Sequence, residues 1–267
     1  MTEEAKEIPP TADVTVMRFR NKIQITVLNR QPTEFKTRRI SNEEFLNLET
    51  GEVFRFAHSK NRKDSERSLK NTFKQQDALI LNNFFGNKNE LFLTLGYDGA
   101  YVSPKTLSYD LKLFWRKVRR KYPNLEYLVI LEYTASGLLH VHAFLKDVTQ
   151  KALWIDRDWL CAAWGQNNVY IQPIKGLRGV ERLAKYVNIF QNPKKRDRVK
   201  FYQPNCRIFR HSKGIVYPPT EKMTYAEAMK LVDGMKLQNK ERFSVNIVSV
   251  DGETVKVQGI QKEVYHI

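Results

Sequence analysis

The amino-acid sequence predicts an α+β fold: a central, mainly antiparallel β-sheet flanked by helices, with additions at both ends of the chain. Three observations predict it. The segments LFLTLGYD (91–98), EYLVILEY (126–133), LLHVHAFL (138–145) and NVYIQPI (168–174) have the length and the apolar and β-branched content of strands. The middle two are separated by a short link containing Gly137, which predicts a hairpin at the centre of the sheet. Stretches with apolar residues at helical spacing lie between the strands, over 104–121 and 179–190.

From the N-terminus, residues 1–12 read as an arm, and VTVMRF and IQITVL alternate around RNK to give a hairpin near 13–29. HSKNRKDSERSLK (58–70) is too charged for a core and reads as a loop leading into a helix near 67–84, with Leu69, Phe73, Leu79 and Leu81 on its apolar side. The next helix has Ser103 as N-cap, Pro104 in its first turn, and Leu107, Leu111, Phe114 and Val118 at spacings of four, three and four. RKVRRK (116–121) ends it, cations at the negative end of the helix dipole. A helix is expected over 156–164, and another over 179–190 with Val180, Leu183, Ala184 and Val187 on one stripe. NPKKRDRVK (192–200) reads as a basic loop. Beyond Pro218-Pro219, a helix near 221–237 and a hairpin turning at Asp251-Gly252 are expected.

Composition bounds the partner. The net charge of +16 and pI near 9.7 imply a polyanion, nucleic acid or an anionic membrane. Hydrophobic content of 42% and aromatic content of 12% exclude a disordered basic tail. No apolar run is long enough to span a bilayer, and the polar start TEEAKEIPPT reads as neither secretory signal nor transit peptide. Cys161 and Cys206 are isolated and read as reduced thiols of a cytoplasmic protein. Nucleic acid is therefore the favoured partner.

Two of the five histidines, His140 and His142, stand in one strand with a single valine between them. Alternation puts both imidazoles on one face and Val141 on the other. With Ala135-Ser136-Gly137 as a three-residue loop, Thr134 pairs with Leu138, and Glu132 lies opposite His140 and diagonal to His142. Two neutral imidazoles and a carboxylate suit Mn²⁺ or Mg²⁺, with positions left open for substrate; zinc would take the same set, so donor type does not settle the metal. A slip of one residue in the register would turn Glu132 away.

This constellation resembles the HUH endonucleases, and more closely the rolling-circle replication initiators of plasmids and small single-stranded DNA viruses. LFLTLGYD resembles their first motif strand, LEYTASGLLHVHAFLKD their metal-binding hairpin, WGQNNVYIQPIKG the segment before the catalytic helix, VERLAKYVNIF the tyrosine helix, and RIFRHSKGI a closing strand. The match spans residues 66–215, which implies an N-terminal extension over 1–65, a nuclease core over 66–215 and a C-terminal accessory segment over 216–267. Tyr186 follows the histidines, an order that resembles initiators and some small transposases and not relaxases. The resemblance implies that Glu132, His140 and His142 hold the metal and that Tyr186 is the nucleophile, assisted by Lys185 of the "AKY" run. The chain departs from the pattern at two positions. Ile189 stands where many relatives have a lysine, and Arg182 where some initiators have a second tyrosine, so one nucleophile is expected.

The implied reaction is nicking of single-stranded DNA at an origin, duplex or hairpin, by transesterification, leaving a 5′-phosphotyrosine and a 3′-hydroxyl primer. The run after the tyrosine helix, with Lys194, Lys195, Arg196, Arg198 and Lys200, together with Arg182, is expected to contact phosphates. Tyr170, Phe201, Tyr202 and Phe209 read equally as stacking platforms for bases or as core. No phosphate-binding G-x-x-x-x-G-K-[ST] loop occurs, so a separate helicase is expected. Rival readings are a transposase or mobilisation relaxase with the same site, a DNA-binding regulator that does not cut, and a metal hydrolase with incidental basic charge.

Overall fold

The computed structural model describes residues 8–27, 37–41, 43–55, 66–99, 101–203, 206–248 and 254–267. In chain order the elements are β1 (Asp13–Arg18), β2 (Lys22–Val27), β3 (Thr37–Arg39), β4 (Glu44–Asn47), β5 (Val53–Arg55), α1 (Glu66–Asn83), β6 (Glu90–Gly96), α2 (Pro104–Lys121), β7 (Glu126–Tyr133), β8 (Leu139–Lys146), α3 (Arg157–Trp164), β9 (Val169–Pro173), α4 (Gly176–Val187), a 3₁₀ segment (Pro193–Phe201), β10 (Phe209–His211), β11 (Thr220–Thr224), α5 (Tyr225–Leu231), β12 (Lys236–Val248) and β13 (Thr254–His266). The described strand pairings are antiparallel, so the α+β class expected from the sequence is the class observed.

The described residues fall into two compact units: those of 59–217, and those of 1–58 together with 218–267. The first unit is built on a five-stranded sheet ordered β10-β7-β8-β6-β9. Its strands read as nearly continuous apolar runs because both faces are covered. On one face Val129, Leu131, Val141, Ala143, Leu93 and Leu95 pack with Leu107, Leu111, Phe114 and Val118 of α2. On the other, Leu128, Ile130, Phe144 and Phe92 pack with Leu79, Ile80 and Phe84 and with Val180, Ala184 and Val187 of α4. Fully burying one such side chain contributes about 1.5–3 kcal/mol.

Helix boundaries follow their caps. Ser103 accepts the Thr106 N–H at 3.1 Å and starts α2 at Pro104, as the sequence predicts. Asp156 accepts the Trp159 N–H at 2.7 Å and starts α3, and Gly165 ends it in the left-handed conformation (φ 82°). The helix expected over 179–190 runs instead from Gly176 to Val187. It stops because Asn188 is extended (φ −94°, ψ 108°), with its side chain accepting the Phe190 N–H at 2.9 Å and donating to Asp77 at 2.7 Å. The charged stretch read as a loop over 58–70 is helical from Glu66 onward, and residues 56–65 lie outside the described residues. The basic run read as a loop is a 3₁₀ segment anchored by buried Val199 and followed by buried Tyr202.

In the second unit, one sheet ordered β11-β1-β2-β13-β12 takes strands from both ends of the chain. β2 pairs with β13, Ile23 opposite Tyr265 and Ile25 opposite Glu263. α5 covers one face, with Ala228 and Val232 against Val14, Val16, Ile25 and Val27. The helix expected near 221–237 is only Tyr225–Leu231; Thr220–Thr224 before it are a strand, and a capping box between Thr224 and Glu227 marks the change. β12 and β13 pair as a hairpin as expected, and its turn near Asp251 lies outside the described residues. β3, β4 and β5 form a separate small sheet that the sequence did not reveal.

Candidate functional site

The central hairpin sets the geometry. Thr134 N–H donates to the Leu138 carbonyl at 2.8 Å, the Leu138 N–H donates to Thr134 Oγ1 at 3.0 Å, and Gly137 takes φ 82°. That turn fixes Glu132 opposite His140 and Ile130 opposite His142, the register expected from the loop length. Across β6, Gly96 lies opposite His140 and Thr94 opposite His142. Glu132, His140, His142 and Thr94 therefore share one sheet face, the face that α4 covers. A Cβ at Gly137 would meet the Phe201 ring at 3.0 Å, on a backbone that L-residues avoid. Gly137→Ala is expected to destabilise the protein by about 1–2 kcal/mol, read from urea unfolding midpoints at unchanged slope.

Each member of the face is held from several sides. His142 is 2% exposed, stacks on Phe92 (5.4 Å, 15°) and bonds Thr94 Oγ1 through Nδ1 at 3.0 Å. Its Nε2 lies 3.0 Å from Glu132 Oε2, yet makes no aligned hydrogen bond among the described residues. Glu132 is 3% exposed. His140 is half-buried. α4 carries Tyr186 to this face: its ring meets His142 edge-on at 5.5 Å, while the residue stays 44% exposed. Nucleophile candidate and histidine strand, 44 residues apart in sequence by their numbers 186 and 142, are thus neighbours.

The 3₁₀ segment adds two cations that the sequence did not place here. Lys195 is 5% exposed. Its Nζ lies 2.7 Å from Glu132 Oε1 and 2.8 Å from Oε2, donates to the Tyr186 carbonyl at 2.8 Å, and sits 3.4 Å from the Tyr186 ring centroid. Arg198 Nη1 donates to Glu132 Oε1 and, at 3.0 Å, to the Tyr133 carbonyl. Arg196 pairs with Glu66, while Lys194, Lys200, Arg182 and Lys185 are exposed. On α4, Lys185 points about 100° away from Tyr186. Ile189, where a lysine is common in the family resembled, is fully buried in the core. Tyr202 is core, edge-on to Phe73 and Tyr133, whereas Tyr170 on β9, opposite Thr94, is exposed. The inward turn of Lys195 had one sequence signal, the apolar residues Val199, Phe201 and Tyr202, which mark 193–202 as a packed segment and not a free loop.

The electrostatics follow. Burial opposes ionisation of Glu132, but His142 and Lys195 outweigh it and hold its pKa below the ordinary 4.5. Burial pushes Lys195 down, with Glu132 opposing. Burial and then neighbouring His142 lower His140, which favours its neutral form. Burial and then the Glu132 charge raise the Tyr186 phenol. A carboxylate with a depressed pKa stabilises the fold above its unfolded value and loses that contribution as pH falls through the folded one. In the other unit Glu263 follows the same rule: burial opposes, but Lys240 and Tyr265 hold it low. Stability is therefore expected to stay level as pH falls from 7 to 5 and to drop below the ordinary 4.5, followed by circular dichroism at fixed ionic strength.

The donor set fits a divalent ion in part. Metal–ligand bonds of about 2.0–2.2 Å place two neighbouring ligands of an octahedral ion about 3 Å apart, close to the separation of Glu132 Oε2 and His142 Nε2. An imidazole nitrogen and a carboxylate oxygen that face each other without a hydrogen bond suit a shared cation. As the side chains stand, no three His, Cys, Asp or Glu side chains among the described residues form a ready ligand set. Lys195 and Arg198 hold the carboxylate instead.

Residues 90–190 match a family model of replication-associated proteins, the ORF2 type. The match covers well under half of the chain, but it takes in Glu132, His140, His142 and Tyr186 and ends just before the 3₁₀ segment that holds Lys195 and Arg198. Over the segment that builds the site, the chain is similar to replication-associated proteins, which supports a role in DNA replication. No curated protein and no solved structure matched the chain. No described helix is long and apolar enough to cross a membrane.

Proposed function

We propose that this chain is a replication initiator that nicks single-stranded DNA at an origin, with Tyr186 as its nucleophile. One observation carries the reading: within the segment similar to replication-associated proteins, a half-exposed tyrosine stands edge-on to a buried histidine that faces a buried carboxylate.

The chemistry is a transesterification. Tyr186 Oη bonds to the phosphorus of a backbone phosphodiester and the bond to O3′ breaks. The phenolic proton leaves to solvent or a base, and O3′ takes up a proton. The products are a 5′-phosphotyrosine and a free 3′-hydroxyl, which can prime synthesis. Glu132, His140 and His142 would hold a divalent ion, Mn²⁺ or Mg²⁺, which supplies polarisation of the non-bridging phosphate oxygens. Thr94 and Phe92 fix the His142 ring, and Lys195 ties the Tyr186 backbone to Glu132, so the phenol is held before substrate arrives. Lys194, Lys200, Arg182 and Lys185 are exposed near the same helix and segment and are the cations offered to DNA phosphates. Exposed Tyr170, on the same sheet face at the β9 edge, is offered to an unstacked base.

The test is a covalent adduct on a denaturing gel, formed from the protein, Mn²⁺ and a pool of labelled single-stranded oligonucleotides. Tight binding with no adduct for any oligonucleotide would replace this reading with that of a DNA-binding regulator that does not cut.

A further inference from the structure

Lys195 is an unusual occupant for this position. Its ammonium is buried, it spans both oxygens of Glu132, and it reaches the Tyr186 carbonyl and ring face at the same time. Arg198 takes Oε1 as well, so a single carboxylate is shared by two full cations. A carboxylate offers about four lone-pair positions. Lys195 and Arg198 together use three of the contacts observed, and His142 Nε2 faces the oxygen that remains most open, Oε2. Any divalent ion held by Glu132 meets the Lys195 ammonium at the same oxygens, and like charges a few ångströms apart in a buried site repel strongly.

We propose that Lys195 is a positioning residue that competes with the metal for Glu132. The inference rests on the reading of Glu132, His140 and His142 as the metal-holding set. Lys195 holds Tyr186 against the histidine face through the Tyr186 carbonyl, and its ammonium neutralises the carboxylate until the ion displaces it. Displaced, the ammonium needs another anion. A DNA phosphate entering beside Tyr186 supplies one, so metal and single-stranded DNA bind cooperatively, each favouring the state in which Lys195 has left Glu132. Loading of the metal is thereby coupled to arrival of substrate. The coupling is reciprocal: the ion also tightens DNA binding by the same factor.

The test measures Mn²⁺ affinity directly, by calorimetry and by the electron paramagnetic resonance signal of free Mn²⁺, on the full chain with and without a single-stranded oligonucleotide. Lys195→Gln keeps length and hydrogen bonding but removes the charge, and Lys195→Arg keeps the charge. Without DNA, Lys195→Gln is expected to bind Mn²⁺ on the order of tenfold more tightly than the wild type, and Lys195→Arg about as the wild type does. The oligonucleotide is expected to tighten Mn²⁺ binding to the wild type and to leave Lys195→Gln nearly unchanged. A purely structural role for Lys195 lowers the affinity or leaves it alone; only competition raises it. Equal or weaker Mn²⁺ binding by Lys195→Gln overturns the proposal while the metal reading stands, provided His140→Ala weakens binding. Should Lys195→Gln not fold, the oligonucleotide effect on the wild type decides: no tightening of Mn²⁺ binding overturns the proposal. Absence of Mn²⁺ binding in wild type and variant alike overturns the metal reading itself, and the competition with it.

Discussion

Tyr186→Phe is expected to lower covalent adduct formation on the order of 10³-fold or more, to the background of the gel assay, while the affinity for single-stranded DNA stays within about twofold. The substitution removes one atom. The ring that remains still meets His142 edge-on and still lies under the Lys195 ammonium, so the packing of α4 on the sheet is kept. The residue is 44% exposed and its hydroxyl supports no buried network, which makes the stability cost small. Loss of the adduct with retained binding would assign the nucleophile to this oxygen alone; persistence of the adduct removes Tyr186 from the chemistry. The pH dependence adds a second reading. Burial and the Glu132 charge raise the phenol above its ordinary value of 10, so only a small fraction is ionised at neutral pH. If nothing but ionisation limits attack, the wild-type rate climbs by about tenfold per pH unit through the neutral and alkaline range. An earlier plateau marks a base that takes the proton in the transition state.

The parts of this site that rest on local rules were legible in the sequence. Alternation along a strand and a three-residue loop ending in Gly137 were enough to place Glu132 across from His140, because both are set within about a dozen residues. Ser103, Asp156 and the apolar stripes fixed α2 and α3 for the same reason. What could not be read depends on distant partners. Lys195 and Lys194 are adjacent and chemically identical; Lys194 is exposed and Lys195 buried because Val199 and Tyr202 anchor the segment against a core formed by other elements. The pairing of β2 with β13 joins strands from opposite ends of the chain, which no local pattern announces. α4 ends at Val187, short of the apolar Ile189 and Phe190, because Asn188 finds Asp77 on α1, a tertiary contact that overrides the apolar pattern.

Glu132→Gln tests the same site from the side of stability. Glu132 is the one carboxylate in contact with Lys195 and Arg198 in the site as described, and Lys195 has little access to water. Neutralising it leaves a buried ammonium and a partly buried guanidinium without their counter-ion, a change that costs about 3–5 kcal/mol when one partner of a buried pair is removed. The expected result is a lower urea midpoint at unchanged slope. The loss should be partly restored in Glu132→Gln/Lys195→Met, because the second substitution removes the stranded cation; the two changes are then non-additive by more than about 1 kcal/mol. Additive losses would mean that the two residues stabilise the fold independently and that the ion cluster is not a unit. The cluster's cost in the folded state is also its use. Two cations held against one carboxylate keep the strand that bears Glu132, the helix that bears Tyr186 and the segment that follows it in one arrangement. An apolar core could pack these elements equally well, but it would leave no exchangeable cation at the face where a phosphate must be met.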